Sequence, residues 1–83
     1  MISSVVLIGT ETGREEEVFR KLRELTAVKE ISLSYGKYDI FAKIVVERRD
    51  ELTEIIANHV RKIDGISFMD YLVLTDKLIY ETG

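Results

Sequence analysis

Two stretches of helical periodicity, each lying between two strand-like stretches, constrain the fold of this chain more than any other feature. Apolar, β-branched or alternating runs indicate strands, and apolar residues at helical spacing indicate helices. The predicted strands cover residues 2–8, 28–35, 38–46 and 66–75. The predicted buried face of the first helix comprises Val18, Phe19, Leu22 and Leu25. That of the second helix comprises Leu52, Ile55, Ile56, Val60 and Ile63.

The resulting order is βαββαβ, and a weak internal repeat relates its two halves. At a constant offset, Val18, Leu22, Leu25 and Val28 correspond to Ile56, Val60, Ile63 and Ile66. Right-handed crossovers turn two such β-α-β units into a split βαβ arrangement. We therefore predict an α+β, ferredoxin-like sandwich, a four-stranded antiparallel sheet with two helices on one face. The chain has 83 residues, so it should form a single domain over residues 1–83.

Local signals predict where the elements begin and end. Thr12 and Glu15 have the spacing of a capping box at the start of the first helix. Asp50 is the predicted cap of the second helix, and Gly65 is its predicted stop. The dipeptide 36–37 (Gly-Lys) suits a two-residue hairpin link between the second and third strands.

The face of the sheet away from the helices should be polar in a monomer. Instead, the first, third and fourth strands contain consecutive apolar residues, at 5–8, 44–46 and 72–74. An exposed apolar patch on the order of several hundred Å² is unusual on a monomer, so we expect the sheet of a second copy to cover it. The alternative cover is the C-terminal tail, in which Leu78, Ile79 and Tyr80 would fold back.

Composition excludes several classes of function. The net charge of −3 argues against direct binding of nucleic acid, which normally requires a basic surface. The chain has no cysteine and one histidine, so we expect no disulfide, metal or other cofactor. Its apolar runs are too short to span a membrane, which predicts a cytoplasmic protein. Asn58 is the only side-chain amide and a third of the residues are charged, which favours a thermophilic source.

The segment Tyr35-Gly36-Lys37-Tyr38-Asp39 carries the most specific signal. Gly36 can adopt a positive φ and turn backbone N–H groups outward, towards a carboxylate. Asp39 opens an otherwise apolar strand, where an aspartate needs a partner. Together these groups suit a zwitterion, whose ammonium would face Asp39. In the alternative interpretation, Asp39 caps its own turn and the two tyrosines form a cross-strand pair.

Within a βαββαβ chain, this hairpin resembles the G-x-Y-D signature of the RAM domain. That domain senses amino acids and mediates oligomerisation in Lrp/AsnC-type transcription regulators. Further support comes from T-E-x-G-x-E-E-E-V before the first helix, V-K-E-I-S in the second strand and I-D-G-I after the second helix. Family members usually carry an N-terminal helix-turn-helix domain. Because Met1 directly precedes the first strand here, the chain resembles the stand-alone form.

The resemblance implies that an amino-acid effector binds in clefts between dimers. The implied ligand-binding residues are Tyr35, Gly36, Tyr38, Asp39, Met69, Asp70 and Tyr71. Met69 and Tyr71 occupy the positions of the family's usual strand-four threonines, which is a departure from the pattern. Met69 would favour an apolar effector side chain, whereas Asp70, if it faces the cleft, would favour a basic one.

The leading hypothesis is a non-enzymatic, homo-oligomeric regulatory module, a dimer or a ring of dimers. Its expected partners are an amino acid and a full-length Lrp/AsnC regulator, without direct contact to nucleic acid or membrane. The alternative is a small monooxygenase or isomerase built as a dimeric ferredoxin-like barrel. That alternative requires a deep cavity entered by a polar group such as His59. An ACT-like amino-acid sensor shares the strand order but gives no reason for the G-x-Y-D motif.

Overall fold

The computed structural model describes residues 1–74 and has the predicted βαββαβ order. Its elements are β1 (Ile2–Thr10), α1 (Glu15–Arg23), β2 (Val28–Leu33), β3 (Ile40–Val46), α2 (Arg49–Ile55) and β4 (Ile66–Leu74). The helix α2 continues directly into a π-helical turn, Ile56–Val60. The four strands form one antiparallel sheet in the order β2-β3-β1-β4. This arrangement confirms the ferredoxin-like fold.

The core lies between the two helices and one face of the sheet. Register pairs Val6 with Ala42 and Ile8 with Ile40, so these four residues share the face under the helices. Their side chains are fully buried, as are those of Val18, Leu22, Ile44 and Val60, and the nearly buried Val46, Leu52 and Ile56 complete the core. Burying a side chain of this size contributes about 1.5–3 kcal/mol. Within residues 1–74, no helix is long and apolar enough to cross a membrane.

The opposite face of the sheet, which we call the open face, is largely apolar, and neither α1 nor α2 lies over it. Register places Val5 beside Leu72 and Leu7 beside Phe41 on this face. Leu72 is 60% exposed, and the open-face residues Phe68 and Leu74 are also exposed. The predicted apolar patterning of both faces is therefore confirmed for the strands. The tail residues Leu78, Ile79 and Tyr80, offered as the alternative cover, lie outside the described residues.

The predicted helix caps are wrong at both helices. The helix α1 begins at Glu15, after a turn in which the N–H of Arg14 donates to the carbonyl of Glu11, so Thr12 lies outside the helix. At the second helix, Arg48 is the N-cap residue and Asp50 lies within the first turn. Neither helix has a side-chain cap hydrogen bond, because the two N-cap residues, Arg14 and Arg48, have no side-chain acceptor.

Arg14 links the β1–α1 loop to the turn that follows the second helix. Its guanidinium donates to Asp64 (3.0 Å), to Glu11 (3.1 Å) and to Glu17. The hydrogen bond from Arg14 holds the pKa of Asp64 below its usual value. Because these groups are exposed, the network contributes little free energy. Its effect is to position the start of α1 beside the adjoining turn, where Gly65 is buried.

Gly36 and Gly65 have nearly equal positive φ angles, +102° and +103°, but very different surroundings. A Cβ at Gly36 would meet no heavy atom within 4 Å, whereas a Cβ at Gly65 would lie 2.9 Å from Cγ2 of Val18. The helix itself ends at Val60, earlier than the Gly65 stop predicted from the sequence. Gly65 therefore acts in the turn before β4, where it permits close packing against α1.

We expect Gly65→Ala to lower the free energy of unfolding more than Gly36→Ala. Both substitutions introduce backbone strain of about 1–3 kcal/mol. Only Gly65→Ala also displaces a buried core residue, which should add roughly 1–3 kcal/mol. Urea unfolding at one fixed protein concentration measures the difference. Equal losses in the two variants would contradict the close packing of Gly65 on Val18.

Candidate functional site

The hairpin between β2 and β3 is longer than the predicted two-residue link. It spans residues 34–39 and is closed by two hydrogen bonds from Ser34. The N–H of Ser34 donates to the carbonyl of Asp39 (2.8 Å), and its Oγ donates to the carbonyl of Tyr38 (2.6 Å). Gly36 has the predicted positive φ, and Tyr35 is fully exposed beside it. The loop therefore projects as a defined turn from the end of the sheet.

Asp39 joins the start of β3 to the end of β1. Its N–H donates to the carbonyl of Ile8 (2.8 Å). Its Oδ2 accepts hydrogen bonds from the N–H (2.7 Å) and the Oγ1 (3.1 Å) of Thr10. The carboxylate thus has the partner that an aspartate in an apolar strand requires. That partner is Thr10 on β1, so Asp39 does not cap its own turn. A carboxylate has about four acceptor positions, so this geometry leaves capacity for a further donor.

A cleft of about 320 Å³ adjoins Asp39 on the helix side of the hairpin, and we call it the acidic cleft. Its lining comprises Glu15, Leu33, Ser34, Tyr35 and Asp39. Two of these residues, Glu15 and Asp39, carry carboxylates, which favour a cationic group, and Leu33, which is 57% exposed, adds an apolar wall. The cleft can therefore hold an ammonium beside a short apolar body.

Tyr38 connects the same hairpin to β4 by contacts on the open face. Its hydroxyl donates to the carboxylate of Asp70, and this bond raises the pKa of the Tyr38 phenol above its usual value. The ring of Tyr38 lies 5.7 Å from the ring of Phe68, tilted by 55°. The two tyrosines of the loop do not form a pair, because Tyr38 packs on Phe68 while Tyr35 is exposed.

Phe68 in turn requires Gly9 beneath it. A Cβ at Gly9 would lie 2.3 Å from two atoms of the Phe68 ring, a separation that no side chain could keep. Gly9 pairs with Phe68 in the register of β1 and β4, just before a register shift at Thr10. The absence of a side chain at Gly9 thus leaves the space in which the Phe68 ring packs beside Tyr38.

The three β4 residues implied by the resemblance do not face the same way. Asp70 pairs with Leu7 on the open face and accepts the hydrogen bond from the Tyr38 hydroxyl. Met69 pairs with Ile8 and packs against the core, and Tyr71 pairs with Val6 on the same side of the sheet. The structure thus forms two groups of predicted site residues. Tyr35 and Asp39 line the acidic cleft, whereas Tyr38 and Asp70 are joined on the open face.

Sequence reasoning missed three residues of this region. Thr10 and Phe68 had no distinguishing signal, because their roles depend on strand register. Glu15 was interpreted as part of a capping box, although its side chain lines the acidic cleft. The one available signal was the acidic run at the start of α1. Acidic residues are common at helix N-termini, and such a terminus lies next to a loop, where a cleft can form.

His59 lies in the helix layer rather than on the open face. Its Nε2 is 3.4 Å from Oε1 of Glu54, and its side chain is half exposed. It lines a small cavity of about 150 Å³ with the α1–β2 connection and Ile55. The enzyme alternative required a deep cavity within a barrel, entered by a polar group such as this one, whereas the cavity that His59 lines is small and lies in the helix layer. No group of three potential metal ligands occurs within residues 1–74.

Comparison with known proteins agrees with the fold and with the hairpin motif. The sequence profile of the Lrp/AsnC ligand binding domain matches residues 3–83. The chain belongs to this family. The resemblance drawn from the hairpin and its flanking elements is therefore confirmed, and the homologues of this Lrp/AsnC domain are transcription regulators rather than enzymes.

Among its relatives is the HTH-type transcriptional regulator LrpA of Pyrococcus horikoshii, which is 36% identical over 78 residues. That match covers 92% of this chain but 55% of the regulator, so the chain spans about half the length of its curated relative. Among solved structures, FFRP-DM1 is 29% identical with a TM-score of 0.87, covering 90% of this chain and 100% of that one. AsnC of E. coli is 24% identical with a TM-score of 0.85, covering 98% of this chain and 55% of AsnC, and it supports the fold.

We expect Asp39→Ala to destabilise this Lrp/AsnC domain by about 1–3 kcal/mol, because it leaves the backbone N–H of Thr10 without its acceptor. Thr10→Val is the matched control. It removes only the hydroxyl donor and keeps the side-chain volume, so it should cost about 0.5–1.5 kcal/mol. Chemical unfolding of both variants at the same protein concentration gives the comparison. An Asp39→Ala protein as stable as the wild type would show that the hydrogen bonds between Asp39 and Thr10 contribute nothing to the free energy of unfolding.

Proposed function

We propose that this domain is an amino-acid-binding, oligomerising regulatory module without enzymatic activity. The observation that carries the proposal is the acidic cleft, which Asp39 and Glu15 both line beside the hairpin of the family motif. The domain would act in the cytoplasm on an Lrp/AsnC-type transcription regulator. It would not contact DNA itself, since its net charge is −3.

The amino acid would bind by its charged groups at the hairpin. Its ammonium would lie between Asp39 and Glu15, and the turn at Gly36 would direct backbone N–H groups towards its carboxylate. The Tyr38–Asp70 group lies on the open face, away from the acidic cleft. Because the two groups lie on opposite sides of the sheet, one subunit alone would not bring both to one ligand. The family resemblance implies that the effector binds between dimers, where a neighbouring subunit would complete the site at the acidic cleft.

The oligomer would form through the open face. Leu72 and Leu74 are exposed there, and Val5, Phe41 and Val45 extend the apolar surface across the sheet. A stable interface buries about 800 Å² on each partner. A second copy would bury the same face by two-fold symmetry. Dimers built in this way could then assemble into a ring.

The regulatory effect would come from a shift between assemblies. A ligand that bridges two dimers stabilises the assembly containing that bridge over the separate dimers. The same bridge could join this domain to the homologous domain of a full-length regulator. The match covers only 55% and 50% of two curated relatives. The remaining part of such a regulator would supply the DNA-binding function.

We expect Leu72→Glu to convert the oligomer into monomers. A buried carboxylate without a partner at the centre of an apolar interface is strongly unfavourable. Leu33→Glu is the matched control, because Leu33 is 57% exposed and Leu72 60% exposed, but Leu33 lies on the other face. Light scattering at micromolar concentration should give a monomer mass for Leu72→Glu and a dimer or larger mass for Leu33→Glu. A monomeric wild-type protein would contradict the proposed interface.

We also expect Asp39→Asn to weaken amino-acid binding by about ten- to hundredfold, the effect of one charge-assisted hydrogen bond. The asparagine oxygen can still accept from Thr10, so this variant preserves the fold better than Asp39→Ala. Glu47→Gln is the charge-matched control, since Glu47 is exposed beyond the opposite end of β3. A thermal-shift screen of the proteinogenic amino acids identifies the effector, and calorimetry then compares the variants. Equal affinity in wild type and Asp39→Asn would place the site elsewhere.

A further inference from the structure

A second cleft continues from the acidic cleft along α1. Its volume is about 310 Å³, and its lining comprises Glu16, Phe19, Arg20, Arg23 and Leu33. We call it the basic cleft, because its lining residues carry two guanidiniums and one carboxylate. Leu33 lines both clefts, so they are adjacent on the surface, and we call the two together the groove. This groove is acidic at the hairpin, apolar over Leu33 and Phe19, and basic at the last turn of α1.

The two arginines are available for an external anion. Within residues 1–74, no carboxylate lies within salt-bridge distance of Arg20 or Arg23, whereas Arg14 on the same loop–helix segment contacts three. Both residues are exposed and belong to the last turn of the helix. A guanidinium binds a carboxylate through two parallel hydrogen bonds, which makes a terminal carboxylate a well-matched occupant.

The two charged ends of the groove are separated along α1. Given the rise of 1.5 Å per helical residue, the Cα atoms of Arg20 and Arg23 lie about 7–12 Å along the helix axis from that of Glu15. One extended residue spans at most about 3.6 Å, so a free amino acid would contact both ends only through the reach of the long arginine side chains. Two or three extended residues span about 7–11 Å, which is close to the Cα separation itself.

We infer that the groove binds a short extended peptide with free termini. Its ammonium lies between Asp39 and Glu15, its terminal carboxylate lies on Arg20 and Arg23, and an apolar side chain rests on Leu33 and Phe19. The inference rests on the proposed function for its acidic half, because the same carboxylates bind the ammonium in both. It adds the ligand class, a di- or tripeptide, and assigns a binding role to the two arginines.

The test is a double-mutant cycle in which one change removes the charge of the ligand carboxylate and the other removes the charges of the arginine pair. Calorimetry measures the affinity of Ala-Leu-Ala and of its C-terminal amide for the wild-type protein and for the double variant Arg20→Gln/Arg23→Gln. The wild type should bind the free acid about ten- to hundredfold more tightly than the amide, and the double variant should bind both alike. Arg61→Gln, which removes an exposed arginine after the second helix, should retain the wild-type preference.

Leucine measured alongside the peptides separates this inference from the proposed function. Leucine affinity should fall in Asp39→Asn and stay unchanged in the arginine variant. Leucine binding that depends on Asp39, combined with equal affinities for the acid and amide peptides in the wild type, would overturn the peptide groove and leave the proposed function intact. Absence of binding by leucine and both peptides would overturn both. Circular dichroism and the melting temperature confirm that each variant is folded before its affinity is compared.

Discussion

A four-stranded sheet with two helices has one face that the helices cannot reach, and most features of this domain follow from that constraint. The helices bury the face formed by alternate residues of β1 and β3, with Val6, Ile8 and Ile40 at its centre. Most of the intervening residues of the same strands are apolar as well, although neither α1 nor α2 covers them. A second copy on this face, as proposed above, would add buried hydrophobic surface to a small domain.

The hairpin connects this constraint to the candidate site, because its residues reach both sides of the sheet. Asp39 holds the end of β1 through Thr10 and lines the acidic cleft on the helix side. Tyr38 bonds to Asp70 and packs on Phe68 at the open face. A ligand at Asp39 and a second subunit on the open face would therefore act on adjacent residues of one short loop. This short path provides a physical route for coupling between ligand binding and assembly.

The charges of α1 gain a second role in this arrangement. Acidic residues in the first turn and basic residues in the last turn are favourable to any helix, because they oppose its dipole. Here Glu15 faces one cleft while Arg20 and Arg23 face the next, so the same distribution gives the groove opposite ends. Leu33, the last residue of the edge strand β2, is exposed and lines both clefts.

The local pattern of residues was sufficient to predict the element order, the ferredoxin-like fold, the apolar open face and the positive φ of Gly36. These properties depend on periodicity and on the conformational freedom of single residues, which a sequence displays directly. The helix caps at Thr12 and Asp50 were predicted wrongly, because the hydrogen bonds of the preceding turn and the extended conformation of Arg48 decided where the helices begin.

Only the tertiary structure decided which polar groups meet. Asp39 and Thr10 are 29 residues apart, and Tyr38 and Asp70 are 32 apart, so each pair depends on the register between strands and on the exact path of the hairpin. The same register sends Met69 and Tyr71 to one side of the sheet and Asp70 to the other. The sequence by itself therefore determined the fold and the motif that marks the site. The partners of its charged side chains came from long-range packing, which no local pattern encodes.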